Sequence, residues 1–218
     1  MFELFRIHKL FFFITLLYIL VGAGLIFFIP KGQIEIFINN YHTSFYDYFF
    51  QAITFLGDGI FSAIVIVILF FRKIYYGILG TVSILLSTLV SQGLKHMVFA
   101  DALRPFKFFE GTTQLYYIKD FQVHSYFSFP SGHTSGAFTI FFLIALITRK
   151  SYMDVLCFVL AAFVGLSRMY LLQHFFIDTY FGALIGILFT FFTFIYFHYY
   201  TSLKNNSSIN RPLFLWKS

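Results

Sequence analysis

His174 and Asp178 stand four residues apart in the stretch SRMYLLQHFFID, and Arg168 precedes the histidine by six. On a helix, residues at i and i+4 share a face, so this carboxylate can accept a hydrogen bond from one ring nitrogen of His174. The lone pair of the other nitrogen is then free to attack an electrophile. The same carboxylate would steady the positive charge that the ring acquires, as in a Ser-His-Asp triad. A second histidine, His133, follows Pro130, Ser131 and Gly132. It is free to protonate a leaving oxygen and later to activate water.

Three cations, Lys95, Arg104 and Arg168, accompany these groups. Planar guanidinium forks match phosphate oxygens bidentately, and a lysine adds a point charge. Ser131 and Gly132 open an apolar run, where a helix N-terminus would turn free N–H groups and a positive dipole end toward an anion. Gly132 permits close backbone approach, the Ser131 hydroxyl can donate to an oxygen, and Pro130 forfeits no needed donor at a helix start. Phosphoryl transfer, which depends on in-line positioning and charge stabilisation, satisfies this set best. Three fixed cations can take the part that magnesium plays elsewhere, so neither metal nor cofactor is expected. Two histidines and an aspartate suit zinc, but the neighbouring lysine and arginines would repel it.

The elements that must position these residues are apolar. The 218-residue chain is 59% hydrophobic, 24% aromatic and only 11% charged, with a mean hydropathy of +0.81. A soluble domain carries about 25% charged residues, so the composition indicates a membrane protein. A membrane helix takes about 20 apolar residues, and six candidates lie at about 10–29, 54–71, 76–94, 132–148, 154–172 and 178–199. The first is too long for a signal-peptide core and is expected to be a retained anchor. The expected fold is therefore all-α, a six-span helical bundle comprising residues 1–200, followed by a polar, basic, mobile tail over 201–218. Trp216 in that tail is expected near the inner headgroups.

Basic residues set the orientation. With the N-terminus inside, the inner segments hold nine Lys and Arg against two acids, and the outer segments hold six against seven. Both termini are then cytoplasmic, and LRP, PSGH and SRMYLLQHFFID share the outer membrane–water interface. The net charge of +6 is dispersed in pairs between apolar runs, so no nucleic-acid partner is expected. The lone Cys157 excludes an intramolecular disulfide and is expected to be a small packing residue.

RP at Arg104, PSGH at Pro130–His133, and Ser167, Arg168, His174 and Asp178 in the third stretch together resemble the three-part signature of the type 2 phosphatidic acid phosphatases, membrane lipid phosphatases related to vanadium haloperoxidases. The resemblance covers roughly residues 50–195. It implies that His174 is the nucleophile and forms a phosphohistidine, that Asp178 orients it, and that His133 is the acid. It implies that Lys95, Arg104, Ser131, Gly132 and Arg168 hold the phosphate. In that family six residues usually separate the lysine from Arg-Pro, whereas eight separate Lys95 from Arg104 here. A bulge would still bring Lys95 to the pocket, and Lys107 is its rival.

The expected protein is an integral-membrane lipid phosphatase of the cell membrane, drawing a lipid phosphate or diphosphate from the bilayer. Polyprenyl diphosphate, phosphatidylglycerol phosphate, phosphatidate and lipid A phosphates all fit. A lipid-phosphate binding or transport protein without turnover is the alternative, though binding alone has no need of the His174–Asp178 pair. A vanadate-dependent haloperoxidase is a third reading, made improbable by six spans. Asp58 either supports the site or caps a helix. His8, His42, His96, His124 and His198 are expected to be interfacial polar residues, and the aromatic run 108–129 an interfacial segment or a rim for the lipid tail.

Overall fold

Within lipid, a backbone must satisfy its own polar groups, and the helix is the local way to do so. The computed structural model describes residues 2–119 and 121–213, and among them it contains helices and no strand. Short α1 (Phe2–Ile7) leads into α2 (Lys9–Phe28), and α3 (Gln33–Asn39) follows a turn. Then come α4 (Ser44–Thr54), α5 (Gly59–Arg72), α6 (Ile74–Gly93) and short α7 (Pro105–Phe109). The last three are α8 (Gly132–Thr148), α9 (Ser151–Tyr170) and α10 (Phe176–Ile195).

Each of the six apolar stretches is helical, with two differences. The second begins at Ser44 rather than near residue 54, because α4 and α5 form one bent pair with a 52° angle at Gly57–Gly59. Asp58 makes the break: its backbone is extended and its Oδ1 accepts the Ile60 N–H at 2.8 Å, capping α5. The second difference concerns span number. Among the described residues four helices are long and apolar enough to cross a membrane, five if the bent pair counts as one span. The stretch at 132–148 makes only the shorter helix α8 of 17 residues.

Burial explains why α8 has no need of full membrane length. It is the axis of the bundle, packed against α5, α6, α9 and α10, and almost every residue from Thr134 to Leu146 is buried. Phe11 of α2 stacks on Phe142 with centroids 4.0 Å apart, and Phe138 meets Phe158 of α9 edge-on at 5.5 Å. Small residues let helices approach closely in such bundles. Gly182 and Gly186 of α10 lie directly against the carbonyl oxygens of Ser131 and Ser135. On its other side α8 is joined to α6 by Ser91 Oγ–Ser135 Oγ (3.1 Å) and Thr139 Oγ1–Ser87 Oγ (3.0 Å).

Two further expectations are corrected. The described part of the tail is not free: Ile74 and Tyr75 donate their N–H groups to the carbonyls of Arg211 and Ile209 at 3.0 and 2.9 Å. The reason is local, since the first N–H groups of α6 have no partner within the helix. Trp216 lies outside the described residues. His8 is no interfacial residue but fully buried, with Nδ1 2.8 Å from Asp154 Oδ1.

Candidate active site

Arg168 lies in the last turn of α9, and its carbonyl accepts the N–H groups of both Gln173 (2.9 Å) and His174 (3.2 Å). That double acceptance curls residues 171–175 into a tight turn, with Leu172 in the left-handed region at φ 51°. His174 therefore sits in a turn, not on the helical face assumed from its spacing to Asp178. Asp178 occupies the third position of α10 and reaches back to the start of that helix: its Oδ2 accepts the Phe175 N–H at 2.9 Å and the Ser128 hydroxyl. The i, i+4 pair still meets, with His174 Nδ1 3.4 Å from Asp178 Oδ2, although without hydrogen-bond geometry. Both side chains are 2% exposed.

Nδ1 faces the carboxylate, so Nε2 is left for the cavity that His174 lines. This cavity, of about 580 Å³, is also lined by Lys95, Arg104, Gly132, His133 and Arg168. Away from these groups it continues along Ala63, Ile66 and Ile84 of α5 and α6. Arg168 Nη1 is fixed by Thr54 Oγ1 at 2.8 Å, while its buried Nε has no protein partner. Arg104 is held from three sides: Nε donates to the Tyr126 carbonyl (2.9 Å), Nη1 to Gln173 Oε1 (2.8 Å) and Nη2 to the Phe127 carbonyl (3.4 Å).

The longer interval before Arg104 is absorbed at the end of α6, which widens into a π-helical turn over Leu94–Val98. Such turns accommodate inserted residues inside a helix. Lys95 is thereby buried in the cavity wall, whereas Lys107 is half-exposed, paired with Glu110 and not among the cavity-lining residues. His133 Nε2 lies 3.8 Å from Asp58 Oδ2, so Asp58 caps α5 with one oxygen and faces His133 with the other.

Ser131 departs from its expected part. Its hydroxyl caps α8, bonded to Thr134 Oγ1 (2.9 Å) and N–H (3.4 Å), and its own N–H donates to the Asp178 carbonyl at 3.0 Å. It is fully buried and does not line the cavity. The cap position explains this, since a serine there is drawn to the free N–H groups of its own helix. Its contribution is to aim the start of α8, where Gly132 and His133 carry the first N–H groups.

Burial, and then the charges of Arg168, Arg104 and Lys95, holds His174 well below the usual 6.5. The ring is neutral near pH 7, the form in which an imidazole is a nucleophile. Burial likewise lowers Arg104, and Asp178 partly opposes this. Five groups were not assigned to the site from sequence: Thr54, Gln173, Ser128, and the cavity-lining His96 and His124. Only Gln173 offered a signal, as a lone amide in an apolar segment next to His174. His42, also expected at the interface, stacks on Tyr116 with centroids 3.9 Å apart. Among the described residues no three His, Cys, Asp or Glu side chains are grouped to hold a metal ion.

Comparison with known proteins gives a consistent result. The sequence model of the PAP2 superfamily matches residues 75–202. Phosphatidylglycerophosphatase B of Bacillus subtilis (strain 168) is 32% identical over 153 residues, 62% of this chain and 68% of that protein. The crystal structure of Aquifex aeolicus LpxE superposes with a TM-score of 0.65 at 28% identity, covering 76% of this chain and 95% of LpxE. A PAP2-type phosphatidylglycerolphosphate phosphatase from Bacillus subtilis shares the fold, with a TM-score of 0.58, 23% identity and coverage of 88% and 94%. With the matched region running from the start of α6 through α10 and including every residue expected to act at the site except Asp58, this multi-pass membrane chain belongs to the PAP2 superfamily.

Proposed function

We propose that the chain hydrolyses the terminal phosphate of a membrane lipid through a phosphohistidine on His174. It is a lipid phosphatase of the PAP2 superfamily, and phosphatidylglycerol phosphate, the class named for the 32%-identical Bacillus subtilis relative, is the favoured substrate. The observation that carries the mechanism is the convergence of a neutral, carboxylate-backed imidazole and three cations on one cavity. Lys95, Arg104, Arg168 and the first N–H groups of α8 hold the phosphate. His174 Nε2 attacks phosphorus, and the bond to the lipid oxygen breaks. His133, whose Nε2 faces Asp58 Oδ2 at 3.8 Å, gives a proton to that oxygen. Water then attacks the phosphohistidine, His133 takes a proton from it, and inorganic phosphate leaves with His174 restored. The apolar extension along Ala63, Ile66 and Ile84 receives the start of the lipid tail.

The reading includes six spans across residues 1–200, both termini cytoplasmic, and the cavity opening on the extracytoplasmic side. The excess of basic residues in the segments assigned to the inside supports this orientation. A membrane-impermeant maleimide should label Lys107→Cys but not Lys204→Cys in intact cells; the opposite pattern inverts the topology.

The deciding experiment is phosphate release by the purified protein on the four candidate lipid classes, with ³²P trapping of the intermediate. His174→Ala should abolish both release and label, and a variant that releases phosphate at the normal rate refutes the mechanism. Activity should survive EDTA, because the cations supply the charge. Loss on chelation with recovery on magnesium would overturn the metal-free part.

A further inference from the structure

A second cavity, of about 270 Å³, lies at the other end of the bundle. The first is lined by the end of α6 and the start of α8; this one is lined by the start of α6 at Tyr75 and the end of α8 at Leu146 and Arg149. Nothing in the phosphoryl-transfer chemistry uses it.

Its inner wall contains His8, which is fully buried. Asp154 Oδ1 holds Nδ1 of that ring at 2.8 Å, yet His8 Nε2 has no protein partner. The hydroxyl of Tyr75, another lining residue, is also buried without a partner. Buried polar atoms are almost always hydrogen-bonded, so two orphans on one cavity point to something that fills it. A hydroxyl suits both, since it donates and accepts at once.

The rim is cationic. Arg149 pairs with Glu3 at 3.1 Å, whereas Lys204 forms no ion pair among the described residues and lies over the Tyr199 ring at 5.5 Å. Lys204 is brought there by the returning tail, which Asn210 stiffens by donating to the carbonyls of Lys204 (2.6 Å), Asn206 (2.9 Å) and Leu203 (3.3 Å). The mouth thus offers positive charge, and the floor offers partners for hydroxyl groups.

We propose that this cavity binds a phosphate-bearing polyol, with the anion against Arg149 and Lys204 and a hydroxyl on His8 Nε2 and Tyr75. The headgroup of a glycerol phospholipid and a soluble glycerol phosphate share that chemistry.

The test is a thermal-unfolding titration of the full chain in neutral detergent, since a ligand that binds only the folded state raises the midpoint. The additives are dihexanoyl phosphatidylglycerol, glycerol 3-phosphate, inorganic phosphate and dihexanoyl phosphatidylcholine. Phosphatidylglycerol should raise the midpoint saturably, and the double variant Arg149→Gln/Lys204→Gln should need at least tenfold more of it, with phosphate release at the other end unchanged. A matching shift with glycerol 3-phosphate identifies a soluble ligand; a shift with the lipid alone identifies a headgroup. Equal responses of wild type and double variant, an equal shift with phosphatidylcholine, a shift with inorganic phosphate alone, or no shift at all overturns the proposal. If the double variant does not fold, Tyr75→Phe removes a single hydroxyl. It should weaken binding at least threefold, and unchanged affinity in that variant overturns the proposal too.

Discussion

Gly182→Ala should slow phosphate release by about 100-fold without unfolding the protein. A Cβ at this position would lie 2.5 Å from the Ser131 carbonyl oxygen and 3.3 Å from Thr134 Cβ. Ordinary contact begins near 3.4 Å, so the start of α8 must retreat from α10 by up to 0.9 Å. That retreat separates the backbone carrying Gly132 and His133 from the turn carrying His174. A misplacement of about 1 Å at a reacting centre can cost about 100-fold in rate, equivalent to about 2.7 kcal/mol of barrier. The loss should fall mainly on kcat, because the cations contributed by α6, α9 and the 104 segment remain in place. Gly24→Ala is the matched control: nothing lies within 4 Å of its added Cβ, so rate and fold should be unaffected. Elution volume and circular dichroism check that both variants fold. A fully active Gly182→Ala protein would refute the claim that the α8–α10 approach sets the geometry of the site.

The pH behaviour follows from His174. Its pKa is depressed in the folded protein, so the unfolded chain binds more protons below 6.5, and stability should fall as pH drops through that value. Corrected for substrate ionisation, the acid limb of kcat/KM should lie well below pH 6.5; a limb at 6.5 would show that the cations do not hold the ring neutral. Glu35, buried beside the α10 N-terminus where its Oε1 accepts the Phe176 N–H at 2.7 Å, is raised by burial to about 7. The folded state therefore binds the extra proton between 4.5 and 7, and stability is lost as pH rises through that window. Glu35→Gln keeps an acceptor for Phe176 and should flatten this slope in denaturant titrations at pH 5 and 8; an unchanged slope counts against it. Gln173→Glu would place a carboxylate on Arg104 in competition with substrate phosphate, raising KM about tenfold, a loss of about 1.4 kcal/mol. An unaltered KM would remove Arg104 from phosphate binding.

The long elements were legible because lipid imposes one requirement on every span, and hydropathy records it. Lys95, Arg104, His133, Arg168 and His174, which all line the cavity, were legible because each sits near the end of an apolar run, where charge is otherwise costly. The turn at His174 was not. Its cause is a carbonyl at Arg168 taking two N–H groups, and side-chain spacing carries no trace of that choice. Nor could spacing show that Ser131 would spend its hydroxyl on Thr134, since capping and ligand binding call for the same residue. The His8–Asp154 contact joins positions 146 apart, and Thr54 meets Arg168 across 114. Pairings at such separations arise only once helices have packed.

His174, the proposed nucleophile, hangs in a five-residue connection between two long apolar helices, α9 and α10. Helices adapt to a bilayer thicker or thinner than themselves by changing tilt, and here any change of tilt is delivered to the reacting nitrogen from both sides at once. Turnover is therefore expected to vary with the acyl-chain length of the surrounding bilayer, which phosphate release in vesicles of differing chain length measures; equal rates across chain lengths would refute it.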